Sequence, residues 1–179
     1  MFLLKYRICD EDLADRSVDD FDNDDILEGQ LELVFNDKNF GYCDEDIPFG
    51  HELLVTWFKL LNHAKNKIKS GEKYVAIPDI ESLRWFEFIS VGTDIRVNLI
   101  KSRLKNFSDL VFTEPIEPEY YIWRDVVIGK DEFISEIESK TKQFIDDVIS
   151  LNPSLRDSKV LKELKRLFMC EDDGDMLNR

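Results

Sequence analysis

Between Pro48 and Gly71 the apolar residues Leu53, Trp57, Leu60, Leu61, Ala64 and Ile68 recur three or four positions apart, the period of one helix face. Lys65, Lys67 and Lys69 fall in the last turns, where cations complement the helix dipole, and Gly71 is a stop. The same period returns from Lys130, with Phe133, Ile134, Ile137, Phe144, Ile145 and Val148 forming a stripe that runs to Leu151. Asn152-Pro153 predicts the start of a further helix, because proline is tolerated at the first helical position. Its stripe is Val160, Leu161, Leu164, Leu167 and Phe168.

Other segments alternate with a period of two. Phe2–Ile8 reads as a first strand. Gln30–Asn36 places Leu31, Leu33 and Phe35 on one face and Glu32 on the other, and after Asn36-Asp37-Lys38-Asn39 the run Phe40–Cys43 completes a β-hairpin. Tyr74–Ile77 ends at Pro78. Ser82–Ser90 and Asp94–Lys101, joined by Val91-Gly92-Thr93, predict a second hairpin. In its return strand Ile95, Val97 and Leu99 share one face and Arg96 and Asn98 the other, so one face of that sheet is expected to be buried and one wet. Trp85 shares a face with Leu83 and Ile89 while Phe86 and Phe88 point oppositely, which means a strand covered twice or one face awaiting a partner. Beyond Pro115 and Pro118, Tyr120–Ile128 predicts a last strand.

Strands first and helices afterwards make an α+β fold. The expectation is one antiparallel sheet of about five to six strands, with a long helix inserted after the first hairpin and two C-terminal helices packed on it. A length of 179 residues, 43% of them hydrophobic, suits one core, so residues 1–170 are read as a single domain and 171–179 as a frayed tail.

Charge then changes the picture. The net charge of −14 is concentrated in residues 1–52, with 16 acids and 4 bases, whereas residues 53–112 carry 6 acids and 10 bases. Nine of the sixteen residues from Asp10 to Asp25 are acidic, offset only by Arg16, and this segment reads as a long exposed loop. Such a balance argues against a phosphate-binding footprint and against anionic lipid surfaces. No apolar stretch reaches the length of a membrane span, and the apolar start before Asp10 is too short for a secretory leader, so a cytoplasmic location is expected. Cys9, Cys43 and Cys170 form no C-x-x-C pair and suggest neither a disulfide framework nor a zinc site.

Asp20-x-Asp22-x-Asp24 opens like a calcium loop, since alternate carboxylates can converge on a hard cation. The loop's sixth and twelfth positions, however, are Asp25 and Leu31 instead of Gly and Glu. His51 and His63 are separated by a rotation of roughly 120° on a helix, too far to share a metal or a proton. With no G-x-S-x-G, no H-E-x-x-H and no cysteine beside a histidine partner, no catalytic residue and no cofactor are assigned, and an enzyme is not expected.

The order of elements resembles a group of bacterial immunity proteins that protect cells from polymorphic or contact-dependent toxins. The segments that carry it are Gly29-Gln-Leu-Glu-Leu-Val-Phe as a strand, Glu52-Leu-Leu-Val-Thr-Trp-Phe-Lys-Leu-Leu as a helix, Trp85-Phe-Glu-Phe-Ile-Ser-Val-Gly-Thr-Asp-Ile-Arg-Val as a hairpin, and Val126–Phe144 as a strand into a helix. The likeness spans residues 29–150, is one of pattern, and carries no functional residue across; the Asp10–Asp25 segment has no counterpart in it. It implies an inhibitor of a toxin's C-terminal domain, often a nuclease with a basic substrate groove. An acidic surface could fill that groove as phosphates would, and Asp19, Asp20, Asp22, Asp24 and Asp25, with Asp44, Glu45 and Asp46, are the candidates. Two alternatives stay open: a calcium-responsive or other acidic interaction module, and a small enzyme.

Overall fold

The computed structural model describes residues 1–80, 82–103 and 111–169. The expected tail at 171–179, with residue 170, lies outside the described residues. In chain order the elements are β1 (Phe2–Ile8), a 3₁₀ turn (Leu13–Asp15), α1 (Val18–Asp24), β2 (Glu28–Phe35), β3 (Lys38–Tyr42), β4 (Glu52–Leu53) and α2 (Leu54–Lys69). There follow β5 (Tyr74–Pro78), β6 (Arg84–Val91), β7 (Asp94–Lys101), β8 (Tyr120–Gly129), α3 (Lys130–Leu151), a second 3₁₀ segment (Pro153–Asp157) and α4 (Lys159–Met169).

The architecture is α+β with antiparallel pairing, but the strands form two four-stranded sheets where the pattern predicted one. In the first, β2 lies between β1 and β3, and the short β4 pairs with the start of β2. The second runs β5-β6-β7-β8. Alternation fixes which side chains share a face but does not choose partner strands, so the division is invisible in the period. Aromatic packing joins the sheets: Phe35 of β2 lies 5.7 Å from Phe86 of β6 and 5.6 Å from Trp123 of β8, and Phe40 lies 5.0 Å from Phe86. One buried cluster contains residues from both sheets and from α2, α3 and α4.

The helix inserted after the first hairpin is present as α2. It begins at Leu54 and not near Pro48, because Glu52 and Leu53 are first used as β4. Lys65, read as one of the last-turn cations, is fully buried, and its ammonium group lies 3.1 Å from the Phe168 carbonyl at the end of α4, where a cation is favoured. Asn152-Pro153 begins a 3₁₀ segment instead of the last helix; Ser158 ends that segment, and α4 starts anew.

Two further expectations are corrected. Residues 10–25 are not a long exposed loop: Leu13 and Phe21 are buried in the main core, and the segment holds a 3₁₀ turn and a helix. The signal was Ser17-x-x-Asp20, in which Ser17 Oγ accepts from the Asp20 backbone N–H at 3.1 Å and donates to the Asp20 carboxylate at 2.6 Å, while Asp19 and Asp20 suit the positive end of the helix. Nor is the second face of the second sheet wet throughout: it is wet at one end, where Arg96 and the paired Val127 are exposed. Elsewhere on that face Trp85, Ile100 and Ala76 are buried with Tyr74 and Ile116, and Asn98 is buried too. The strand carrying Trp85, Phe86 and Phe88 is therefore covered on both sides.

Candidate functional site

The eight candidate acids fall into two groups held by different elements. Asp19, Asp20 and Asp24 are exposed on α1, which packs on α4 and the second 3₁₀ segment. Asp22 and Asp25, on the same stretch, have structural partners. Asp22 Oδ1 accepts the backbone N–H groups of Lys159 (2.7 Å) and Val160 (3.2 Å), capping α4 from outside its own chain segment. Asp25 pairs with Lys59 at 2.5 Å, and Glu163 approaches the same ammonium group at 2.7 Å. Burial opposes the charge on Lys59, but these two carboxylates outweigh it and raise the lysine above its ordinary value. The Asp20-x-Asp22-x-Asp24 carboxylates thus diverge: Asp20 turns back to Ser17 and Asp22 reaches α4. Among the described residues no group of three or more His, Cys, Asp or Glu side chains could hold a metal ion.

Asp44, Glu45 and Asp46 form the second group, exposed on the loop between β3 and β4. Long-range polar contacts hold this loop over the first sheet. The guanidinium of Arg7 donates to the carbonyls of Asp44 (3.2 Å), Glu45 (3.0 Å) and Ile47 (2.9 Å). Gln30, fully buried on β2, donates to the carbonyls of Ile47 and Phe49, both at 2.8 Å, and accepts from the Asp44 N–H at 2.8 Å. The Asp46 N–H closes an Asx turn on Asp44 Oδ1 at 2.9 Å. Gly50 then touches the backbone of β2 at Gly29 and Gln30, an approach that leaves no room for a side chain.

This anchoring makes one wall of an open groove of about 390 Å³. Phe49 and His51 stand on that wall, their rings 5.8 Å apart and tilted by 35°, with Phe49 56% exposed. The facing wall is the acidic segment itself, Cys9 to Asp12, with Ile26 and Glu28 beside it. Asp10 is held by Arg16 at 2.9 Å, and Arg16 also donates to the Ile26 carbonyl at 2.6 Å, so the wall is braced from within. Glu11, Asp12 and Glu28 remain exposed. The groove therefore combines exposed carboxylates with an exposed aromatic ring and Ile26, itself 42% exposed.

Sequence reasoning chose Asp44, Glu45 and Asp46 on the loop that builds the groove but missed Glu11, Asp12, Glu28, Phe49 and Ile26. No local signal brings them together, since the two walls come from segments far apart in the chain that meet through β2 and through the Arg7 hydrogen bonds. His63 lies on α2 and takes no part in the groove. Cys43 has its thiol pushed above the ordinary value, first by burial and then by the Glu32 carboxylate, so it is poorly suited to act as a nucleophile. Among the described residues no helix is long and apolar enough to cross a membrane. No protein-family model, curated protein or solved structure matches this chain.

Proposed function

We propose that the protein is a binding protein that neutralises a basic protein partner, in the manner of an immunity protein acting on the C-terminal domain of a nuclease-type toxin. The observation that carries this reading is the groove between residues 9–12 and 48–51, whose lining combines an exposed phenyl ring with exposed carboxylates. Aromatic anchors ringed by polar residues are how protein interfaces concentrate affinity. Carboxylates facing a cationic surface accelerate encounter by roughly 10–10³ fold and make it sensitive to salt. The net charge of −14 supports a cationic partner, and the pattern-level likeness to immunity proteins supports a toxin domain in particular. In this reading Glu11, Asp12, Glu28, Asp44, Glu45 and Asp46 steer, Phe49 and Ile26 anchor, and Asp22 and Asp25 hold the fold. Asp19, Asp20 and Asp24 on α1 belong to a separate surface that contributes long-range attraction.

The test is to look beside the gene for one encoding a toxin with a basic C-terminal domain, and to titrate the full chain with that domain at low and high salt. The native protein is compared with Phe49→Ala and with the triple variant Glu11→Gln, Asp12→Asn, Glu28→Gln. A stoichiometric complex is expected. Its dissociation should quicken by about tenfold or more in Phe49→Ala, and its association should slow in the triple variant with a flatter salt dependence. Binding that ignores both variants would remove the groove from the reading, and absence of binding would remove the reading itself.

A further inference from the structure

The outer face of the second sheet carries a hydrophobic cluster separate from the main core, made of Tyr74, Ala76, Trp85, Ile100 and Ile116. Its cover is residues 111–119, which cross the sheet from its β5 edge to the start of β8. At one end Phe112 and Ala76 exchange both backbone hydrogen bonds, at 2.7 and 2.9 Å, and the Phe112 ring meets Trp85 edge-on at 5.1 Å. At the other end Ser102 Oγ donates to the Glu117 carbonyl at 2.9 Å and the Glu119 N–H donates to the Lys101 carbonyl at 2.8 Å. Between these ends the Ile116 N–H donates to the Tyr74 hydroxyl at 3.0 Å.

That hydroxyl is the end of a buried relay spanning all four strands. Tyr74 Oη donates to Glu87 Oε1 at 2.6 Å, and Asn98 Nδ2 donates to Glu87 Oε2 at 3.0 Å. The Asp125 N–H donates to Asn98 Oδ1 at 2.8 Å, at a point where β8 is irregular and Asp125 has a φ of 60°. Every donor direction is set: Glu87 accepts twice, which obliges Tyr74 to donate inward and leaves its lone pairs for Ile116. Glu87 is 4% exposed, and a carboxylate buried to that degree depends on those donors.

We propose that residues 111–119 are a strap that opens as one local unit over this face, and that the Tyr74–Glu87 pair is its latch. Opening removes Phe112 and Ile116 from the small cluster and takes only Val111, a partly buried residue packed against it, from the main core, because the two clusters share no buried residue. Local openings of this kind draw on segments with few buried apolar contacts. An open strap uncovers Trp85, Ile100 and the Tyr74 hydroxyl, giving the second sheet an aromatic face that the closed protein hides.

Amide hydrogen exchange on the full chain tests this. In the native protein the amides of Ala76, Phe112 and Ile116 are expected to exchange together and faster than those of Leu33 and Val97 in the main core. In Tyr74→Phe, which keeps the ring, all three should accelerate by about fivefold to tenfold while Leu33 and Val97 hold their rates. Ala76 and Phe112 decide the matter, since neither touches the hydroxyl. Acceleration of Ile116 alone would make Tyr74 a local bond and overturn the strap. Acceleration of the core amides to the same degree would show global unfolding and overturn it too. Glu87→Gln supplies a second reading: a carboxamide offers one acceptor where the carboxylate offered two, so Tyr74 and Asn98 cannot both keep their donations, and Ala76 and Phe112 are expected to accelerate; unchanged rates at both would overturn the latch.

Discussion

Gly50 lies so close to Gly29 that a Cβ added to Gly50 would stand 2.3 Å from both the carbonyl carbon and the carbonyl oxygen of Gly29. Both obstacles are backbone atoms of β2, so no side-chain rotation relieves them. The contact seats the loop that carries Phe49 and His51, and through it the first wall of the groove depends on two residues without side chains.

Gly50→Ala is therefore expected to displace the loop and to destabilise the protein by about 1–3 kcal/mol, the usual cost of overpacking. Chemical denaturation measures the cost. An unchanged midpoint would mean that the loop yields freely and that the glycine contact does not position Phe49.

Asp22 and its neighbours on α1 separate structural from surface carboxylates. Removing Asp22 in Asp22→Ala leaves the Lys159 and Val160 N–H groups without their cap and should cost about 0.5–2 kcal/mol. Asp19→Ala and Asp24→Ala, both at exposed positions, should stay within about 0.5 kcal/mol of the native protein. Equal losses at all three positions, read as denaturation midpoints, would contradict the assignment of Asp22 to the α4 cap.

Tyr6 and Tyr74 predict the alkaline limit of stability. Burial first, and then the hydrogen bonds to Asp147 and Glu87, hold both phenols far above their ordinary value of 10.0. In the folded state they keep protons that the unfolded chain releases near pH 10, so stability is fully present below about pH 10 and falls as pH rises beyond it. Absorbance at the phenolate band should show these two tyrosines ionising only with unfolding. In the double variant Tyr6→Phe, Tyr74→Phe that late rise should vanish. If it persists unchanged, other groups set the alkaline limit.

Much of the local structure was legible in the chain. The helical stripe from Phe133 to Val148 gave α3 from Lys130 to Leu151, and alternation around Gly92 gave the β6–β7 hairpin. Those signals are local because a helix or hairpin buries a face whose period is written in adjacent residues. The acidic segment was misread for a related reason. Its charges dominate the composition, while its structure rests on buried Leu13 and Phe21, on Val18 packed against the same core, and on polar contacts to distant segments. Asn152 Nδ2 donates to the carbonyls of Leu13 and Arg16, for example, across well over a hundred residues of sequence.

By itself the sequence determined the type and approximate place of the long elements, the α+β class, and an acid-rich N-terminal third. Tertiary structure alone decided that the strands divide into two sheets, that Asp22 and Asp25 brace helices, and that Glu11, Asp12 and Glu28 face Phe49 across a groove. The physical reason is common to all three. Period and composition specify which face a residue presents, whereas the partner that face meets is chosen by contacts between segments far apart in the chain, such as Arg7 with Ile47 and Gly29 with Gly50.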